Sequence, residues 1–549
     1  MSESDLSQMF PWPGVHSRTP VPLLRPALMV TLCLTAIGAC AERPDPLEKA
    51  LDAVGGREAL QELRAFSYEA AGDRFESGQS ANPEAGPIRS SSFDLSVLYD
   101  VESDRLSLDW QRQIFDPLRG ALAYRDIIDG DLGYQTGNNS VFNPPDTDAS
   151  RALPSEHIAA VRRELRLLNP LLYLRTAAMT DGATIKADVE RDGRTYHVIE
   201  VADPSYPVEL MVDAESGRVA MLKTLQNDPI WGDVETEVSY EDWSPPEGSA
   251  LQFPHRVELA VSGRTLHTES RTDVVVNPQF AADAFAIPEE PRTQVDEEAA
   301  RRGALTAQYH TRWHALGVPA DQDQTFVTAA AVAGDSEVQH LTGGSHHSLA
   351  IKLGDGVVVV EPPLNEARSK AVLAKVEELW PGVPVTHVIL THHHYDHMGG
   401  IRTYAAAGAM IVTSAVNRSY VEEALSSPHT LVVDELARVE NPEWQIEAVA
   451  PDGEFSLERG GRTVKARHVP SIHSEGLLVV HVPETRLLFV SDVYFPAAFP
   501  AGQPLPEPFN GWGQGLREQL PTFDWEVEWI AGGHGGIDSI ADFRSHSGS

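Results

Sequence analysis

One short stretch constrains the architecture of this chain more than any other. VTHVIL (385–390) reads as a buried strand, and THHHYDHMGG (391–400) follows it at once. A loop that leaves a strand just before a helix is a common place for reacting groups. In an extended loop His392 and His394 are two apart and point the same way. Asp396 and His397 then turn across to a second position, so one loop can serve two adjacent metal ions. The only two cysteines, Cys33 and Cys40, lie near the start of the chain, so metal ligands must come from histidines and carboxylates.

Around this stretch the pattern alternates. SLAIKLGDGVVVVEPP reads as a hairpin, ARSKAVLAKVEELW as a helix, GGIRTYAAAG as a helix and MIVTS as a strand. Such alternation argues for an α/β arrangement from about Thr325 onward. Upstream the pattern differs. A helical stretch broken at Gly55-Gly56 precedes long strand-like segments separated by turn residues, one of them a hairpin turning at Glu215-Ser216-Gly217. One helix, SEHIAAVRRELRLLNPLLYLRTAA, interrupts them. An antiparallel sheet is therefore expected over residues 46–290. A Pro-rich, charged linker and a helix running through Ala315 fill 291–324, and the second domain spans 325–549.

At 549 residues the chain is long enough for two or three domains. With 43 Lys and Arg against 80 Asp and Glu the net charge is −37, which repels phosphate backbones and argues against a nucleic-acid partner. Near the start, Arg18 and Arg25 precede the apolar run PALMVTLCLTAIGA, which is too short to span a bilayer. It ends in IGAC, which resembles a bacterial lipobox. That resemblance implies a signal peptide over 1–39, lipid on Cys40, and a tether over 40–45. With Ala41 following the cysteine, it further implies the periplasmic face of the outer membrane.

The histidine loop is matched downstream, in order, by HSEG with His473, LFVSD with Asp492 and AGGHGG with His534. Together these motifs resemble the metallo-β-lactamase-fold superfamily over about residues 325–545. The resemblance implies an αββα sandwich with metal at one sheet edge. It implies that His392, His394 and His473 hold one ion, that Asp396, His397 and His534 hold another, and that Asp492 bridges them. Two zinc ions are expected, with iron and manganese also suited to such donors. Asp396 and Asp492 are the expected catalytic carboxylates, Asp396 orienting a metal-bridging hydroxide.

Several neighbours have to be weighed against this set. Glu361 stands where it can hydrogen-bond to the histidine loop without ligating. Tyr494 either donates to an oxyanion or packs, with the two readings balanced. His468 competes with His473, and HSEG favours His473. His346 and His347 read as core or surface residues, and His387 and His481 as structural. His393 and Tyr395 are expected beside the ligands or exposed. Residues 495–512, rich in Pro and aromatics, are expected to form an apolar wall.

The first domain is similar in pattern to the periplasmic lipoprotein-carrier fold, implying an antiparallel half-barrel around a small helix. The fold class is thus α+β in two domains. The function expected is hydrolysis of an ester, lactone, thioester or amide bond in a small-molecule substrate. Alternatives are a mononuclear-iron redox enzyme of the persulfide dioxygenase type, or a lipoprotein that binds a hydrophobic ligand. No residue pattern bears on oligomeric state.

Overall fold

Alternation at a period of two governs the first half of the computed structural model. In strand β1 (Ala65–Glu76), Phe66, Tyr68 and Ala70 are buried while Glu69 and Ala71 are exposed. The same rule holds in β2 (Ile88–Asp100), where Phe93, Leu95, Val97 and Tyr99 face inward. These strands belong to a 14-stranded sheet within Ala65–Val276, in which each described strand pairing is antiparallel. The path is a meander with one closure. β1 pairs on one side with β2 and on the other with the last strand, Arg264–Val276. The structure describes residues 45–116, 119–141, 149–288, 295–307 and 325–546. The IGAC motif with Cys40 lies outside them. The helix expected through Ala315 instead spans Glu297–Leu305 and stops where Thr306 turns extended, at ψ 122°.

The expected single helix after Ser155 is two helices, Ser155–Leu168 and Pro170–Met179. The reason lies in the sequence. Pro170 lacks an N–H and disfavours helical geometry at the residue before it, and Asn169 is non-helical at φ −125°. Leu165, Leu168, Tyr173 and Leu174 of these helices share one apolar core with Tyr68, Trp110 and Tyr240 of the sheet. The void left beside Tyr68, Trp110 and Leu165 measures about 20 Å³.

The second half contains two smaller sheets. A seven-stranded sheet runs from Thr328–Val332 to Ile446–Val449, and its strands from Gly356–Val360 onward are parallel. A six-stranded sheet runs from Glu454–Arg459 to Ile537–Ser539. Val358, Val360, Ile389 and Val412 of the first sheet share a core with Val464, Val480 and Phe489 of the second. The other face of the first sheet, through Val357, Val359, Val388 and Ile411, packs on helical Val372, Val376, Ile401 and Tyr404. The second sheet likewise covers Leu488 and Ile530 with Leu516 and Phe543. Burial on both faces explains why VVVV and VTHVIL are near-continuous apolar runs with no alternation.

Residues Asp45–Ser549 form a single compact unit. The large sheet is fastened to the smaller pair. Asp233 accepts hydrogen bonds from the backbone N–H groups of Thr430 and Leu431, and Trp231 packs edge-on against Tyr420 at 4.7 Å.

Candidate metal centre

Strand Val385–Ile389 ends at the sheet edge, and residues 390–394 continue without helical structure until a short helix begins at Tyr395. This change of backbone separates the two halves of the motif. His392 and His394 lie in the extended part, and Asp396 and His397 in the first helical turn. Two other strand ends converge on them. Asp492 follows strand Leu487–Val490, and His534 follows strand Trp529–Gly532. His473 arrives on the loop after strand Arg462–His468.

All seven residues come together in two adjoining groups. His392, His394, His473 and Asp492 form one, with one donor atom from each lying within 4.8 Å of the others. His346, Asp396, His397 and His534 form the other by the same measure. Asp492 faces both. Its Oδ2 lies 2.8 Å from His473 Nε2 and 3.2 Å from His397 Nε2, and its Oδ1 lies 3.2 Å from His534 Nε2.

The unmet hydrogen bonds are informative. His392 Nε2, His394 Nδ1, His397 Nε2, His473 Nε2 and Asp492 Oδ1 are buried and make no well-aligned hydrogen bond, though His473 Nε2 and His397 Nε2 lie within ion-pair distance of Asp492 Oδ2. Buried polar atoms are almost always paired, and five orphans in one place carry a large desolvation penalty. A divalent cation is the partner that satisfies several such lone pairs at once, and the imidazole and carboxylate donors suit one. The residues therefore fit a metal ion.

The charge states of His392 and His394 agree. Burial, together with the neighbouring His397 and His394, holds His392 well below the usual imidazole range, so it is neutral with a lone pair to give. Burial and His473 do the same to His394. Burial also pulls His397 down, but Asp492, Glu361 and Asp396 outweigh it and raise this group well above the ordinary value. Burial alone would raise the Asp492 carboxyl, yet His397, His534 and His473 hold it well below the carboxylate range.

The surroundings orient the donors. The Glu361 carboxylate accepts from His397 Nδ1 at 2.6 Å and from the Thr391 hydroxyl. His534 Nδ1 donates to the Ser345 carbonyl at 2.9 Å. An aromatic wall borders the site. The Trp512 ring lies 4.3 Å from His473, Phe495 lies 4.6 Å from His534, and Phe509 packs between them. These three belong to the Pro-rich segment 495–512.

Other candidates fall elsewhere. The Tyr494 hydroxyl is committed to Asp538 at 2.7 Å and its ring packs on Phe543 and His546, so the oxyanion-donor alternative gives way to packing. His468 donates to the Glu475 carbonyl and is outside both groups. His393 is buried beside Ser474 and Tyr420. His346, weighted toward a core or surface role, is buried and also part of the second group, with Nε2 2.9 Å from Asp396 Oδ2. Its signal was the GGSHHS turn, where Gly343 and Gly344 take positive φ and deliver the histidine to the sheet edge.

Sequence reading missed one group altogether. Gln79, from the connection between β1 and β2, donates to Asp396 Oδ1 at 2.7 Å, and His394 Nε2 lies 3.1 Å from the Ser80 carbonyl. Asp116, two residues beyond strand Arg105–Ile114, has its carboxyl raised above the usual range by burial.

Residues 341–530 match the metallo-beta-lactamase superfamily. That part of the chain is a metallo-β-lactamase-superfamily domain. Similar solved structures include a metallo-beta-lactamase from Pontibacter korlensis, at 16% identity over 40% of this chain and 96% of that one, with a TM-score of 0.32. The DIM-1 metallo-beta-lactamase is similar at 15% identity over 40% and 95%, with a TM-score of 0.31. The FIM-1 enzyme from Pseudomonas aeruginosa, in its mono-zinc form, is similar at 15% over 40% and 93%, also at 0.31.

Proposed function

We propose that this chain is a dinuclear metal-dependent hydrolase of an ester, lactone, thioester or amide bond. His392, His394 and His473 hold one ion, Asp396, His397 and His534 the other, and Asp492 lies between. The observation that carries this reading is the position of Asp492, whose carboxylate faces both histidine groups.

Divalent ions in these places would lower the pKa of water and polarise an acyl carbonyl. The chain's own residues do the rest. Glu361 and the Ser345 carbonyl hold His397 and His534 in fixed ring orientations. Asp396, kept ionised by His397 and His346 against the effect of burial, is placed to orient an attacking water. Phe495, Phe509 and Trp512 present an apolar surface for the acyl part of a substrate and exclude bulk water.

The hydrophobic-ligand alternative gains nothing from the helix-covered face of the large sheet, where the void beside Tyr68 is smaller than an acyl chain. No observation favours the redox alternative. The first test is metal content per chain, with His392→Ala as control. About two zinc ions, lost in the variant, is the expected result, and a single iron overturns the dinuclear reading. We further propose that Cys40 carries lipid at the outer membrane, on the strength of IGAC. Cys40→Ser should then release the protein from membrane fractions.

A further inference from the structure

The connection between β1 and β2 is longer than a hairpin needs. Glu76 pairs directly with Ile88, so two residues would close the turn, yet residues 77 to 87 intervene. The extra chain is ordered by its own hydrogen bonds. Glu76 Oε1 accepts from the Gly78 N–H at 3.0 Å, the Ser80 hydroxyl donates to the Asn82 carbonyl at 2.9 Å, and Asn82 Oδ1 accepts from the Glu84 N–H at 2.8 Å. It does not stand in solvent. Gly78, Gln79 and Ser80 are buried against the histidine loop of the other half of the molecule.

Its contacts fall on both loops that carry the first histidine group. The Tyr395 N–H donates to the Gly78 carbonyl at 3.3 Å. The Glu475 N–H donates to the Ala81 carbonyl at 2.8 Å, and Asn82 Nδ2 donates to the Glu475 carboxylate at 2.8 Å, two residues beyond His473. The fit at Gly78 is close, since a Cβ there would sit 3.1 Å from the Tyr395 ring.

We propose that this connection is a positioning element of the metal centre, supplied by the large antiparallel sheet to the metallo-β-lactamase-superfamily domain. The proposal rests on the metal-binding reading above. A carbonyl only accepts, so the Ser80 carbonyl requires the proton of neutral His394 to sit on Nε2. The lone pair is then on Nδ1, which is the buried nitrogen of that ring left without a partner. Ser80 thus selects the tautomer that can ligate. Gln79 acts on the other group. Its amide N–H occupies Asp396 Oδ1 and leaves Oδ2 facing His397 Nε2 at 3.5 Å and His346. One five-residue reach, 78–82, therefore orients a donor in each group and braces the loop of a third. The metal centre is complete only when the two halves of the molecule are docked.

The test uses the full chain and cobalt(II), whose visible spectrum reports ligand geometry, together with zinc affinity by chelator competition. Gln79→Leu removes the amide donor at similar size. A second variant replaces residues 77–87 with Asn-Gly, which keeps the β1–β2 pairing. Glu84→Ala, exposed on the same connection, is the control. In Gln79→Leu one ion should bind about 10-fold more weakly, and in the replacement both should weaken by about 10- to 100-fold with a changed cobalt spectrum. Glu84→Ala should match the parent chain. Parental affinity and spectrum in Gln79→Leu and in the replacement overturn the proposal, and Gln79→Leu decides alone where the replacement fails to fold. Absence of cobalt binding in the parent chain overturns the metal reading itself, a result separable from either variant.

Discussion

Two of the places where the described residues bury histidines beside carboxylates are built in opposite ways. Inside the large sheet, His267 donates to Glu269 at 3.0 Å, Glu269 pairs with Arg271, and Arg271 reaches Asn169 and the Leu168 carbonyl at 2.9 Å each. The network matches negative charge with a guanidinium and spends its fork on named acceptors. At the sheet edges of the other half, six imidazoles and two aspartates crowd together in the two groups, and five of their ring and carboxylate atoms find no hydrogen bond. Most of the residues in both places are buried, His534 partly so. The difference is convergence: the network leaves only the single ring nitrogen His267 Nδ1 without a hydrogen bond, whereas five such atoms meet in the two groups, an arrangement that suits a cation.

That contrast predicts separable failures. The largest effect is expected from Asp492→Ala, which removes the carboxylate shared by both histidine groups. Hydrolysis should fall by about 10³-fold and at least one ion should be lost, while thermal unfolding of the large sheet stays near that of the parent. Full activity in this variant would refute the dinuclear mechanism.

Next comes Glu269→Gln, which leaves Arg271 buried without its counter-charge. The expected cost is about 3–5 kcal/mol of stability by denaturant titration, with metal content unchanged. The pH dependence follows in sign. Arg271 and His267 hold Glu269 at about 2 against the effect of burial, so its contribution is present above the ordinary carboxylate pKa and lost as pH falls toward 2. His267, depressed by burial, destabilises in the same direction as acid forces a proton onto it. The parent should therefore lose stability on acidification, and Glu269→Gln should show a shallower slope below about pH 4.5. Equal slopes would mean that the network is not the acid-sensitive element.

The smallest effect belongs to the wall. Trp512→Ala should change KM for acyl substrates by about 10-fold, with both ions retained. Loss of metal in that variant would make the wall part of the centre and blur the comparison.

Much of the centre was legible beforehand for a local reason. The ligand types sit in four short motifs at strand ends, and the spacing of His392, His394, Asp396 and His397 is read along one loop. The apolar wall was legible because aromatics cluster between two of those motifs. The balance over Tyr494 was settled only by its neighbours, since a tyrosine beside Asp492 looks the same in sequence whether its hydroxyl meets substrate or Asp538. His346 reads as packing in the sequence because a histidine at a strand entry usually is.

The sequence by itself determined the strand and helix periods, the break at Pro170, the donor types and their order. Those depend on side-chain chemistry and on neighbours a few residues away. Tertiary structure alone decided that Gln79 meets Asp396 and that the Ser80 carbonyl meets His394, across more than 300 positions of chain. Nothing in SGQSAN marks it as part of a candidate metal site. A backbone carbonyl has no residue identity, and where it points is set by how two sheets dock.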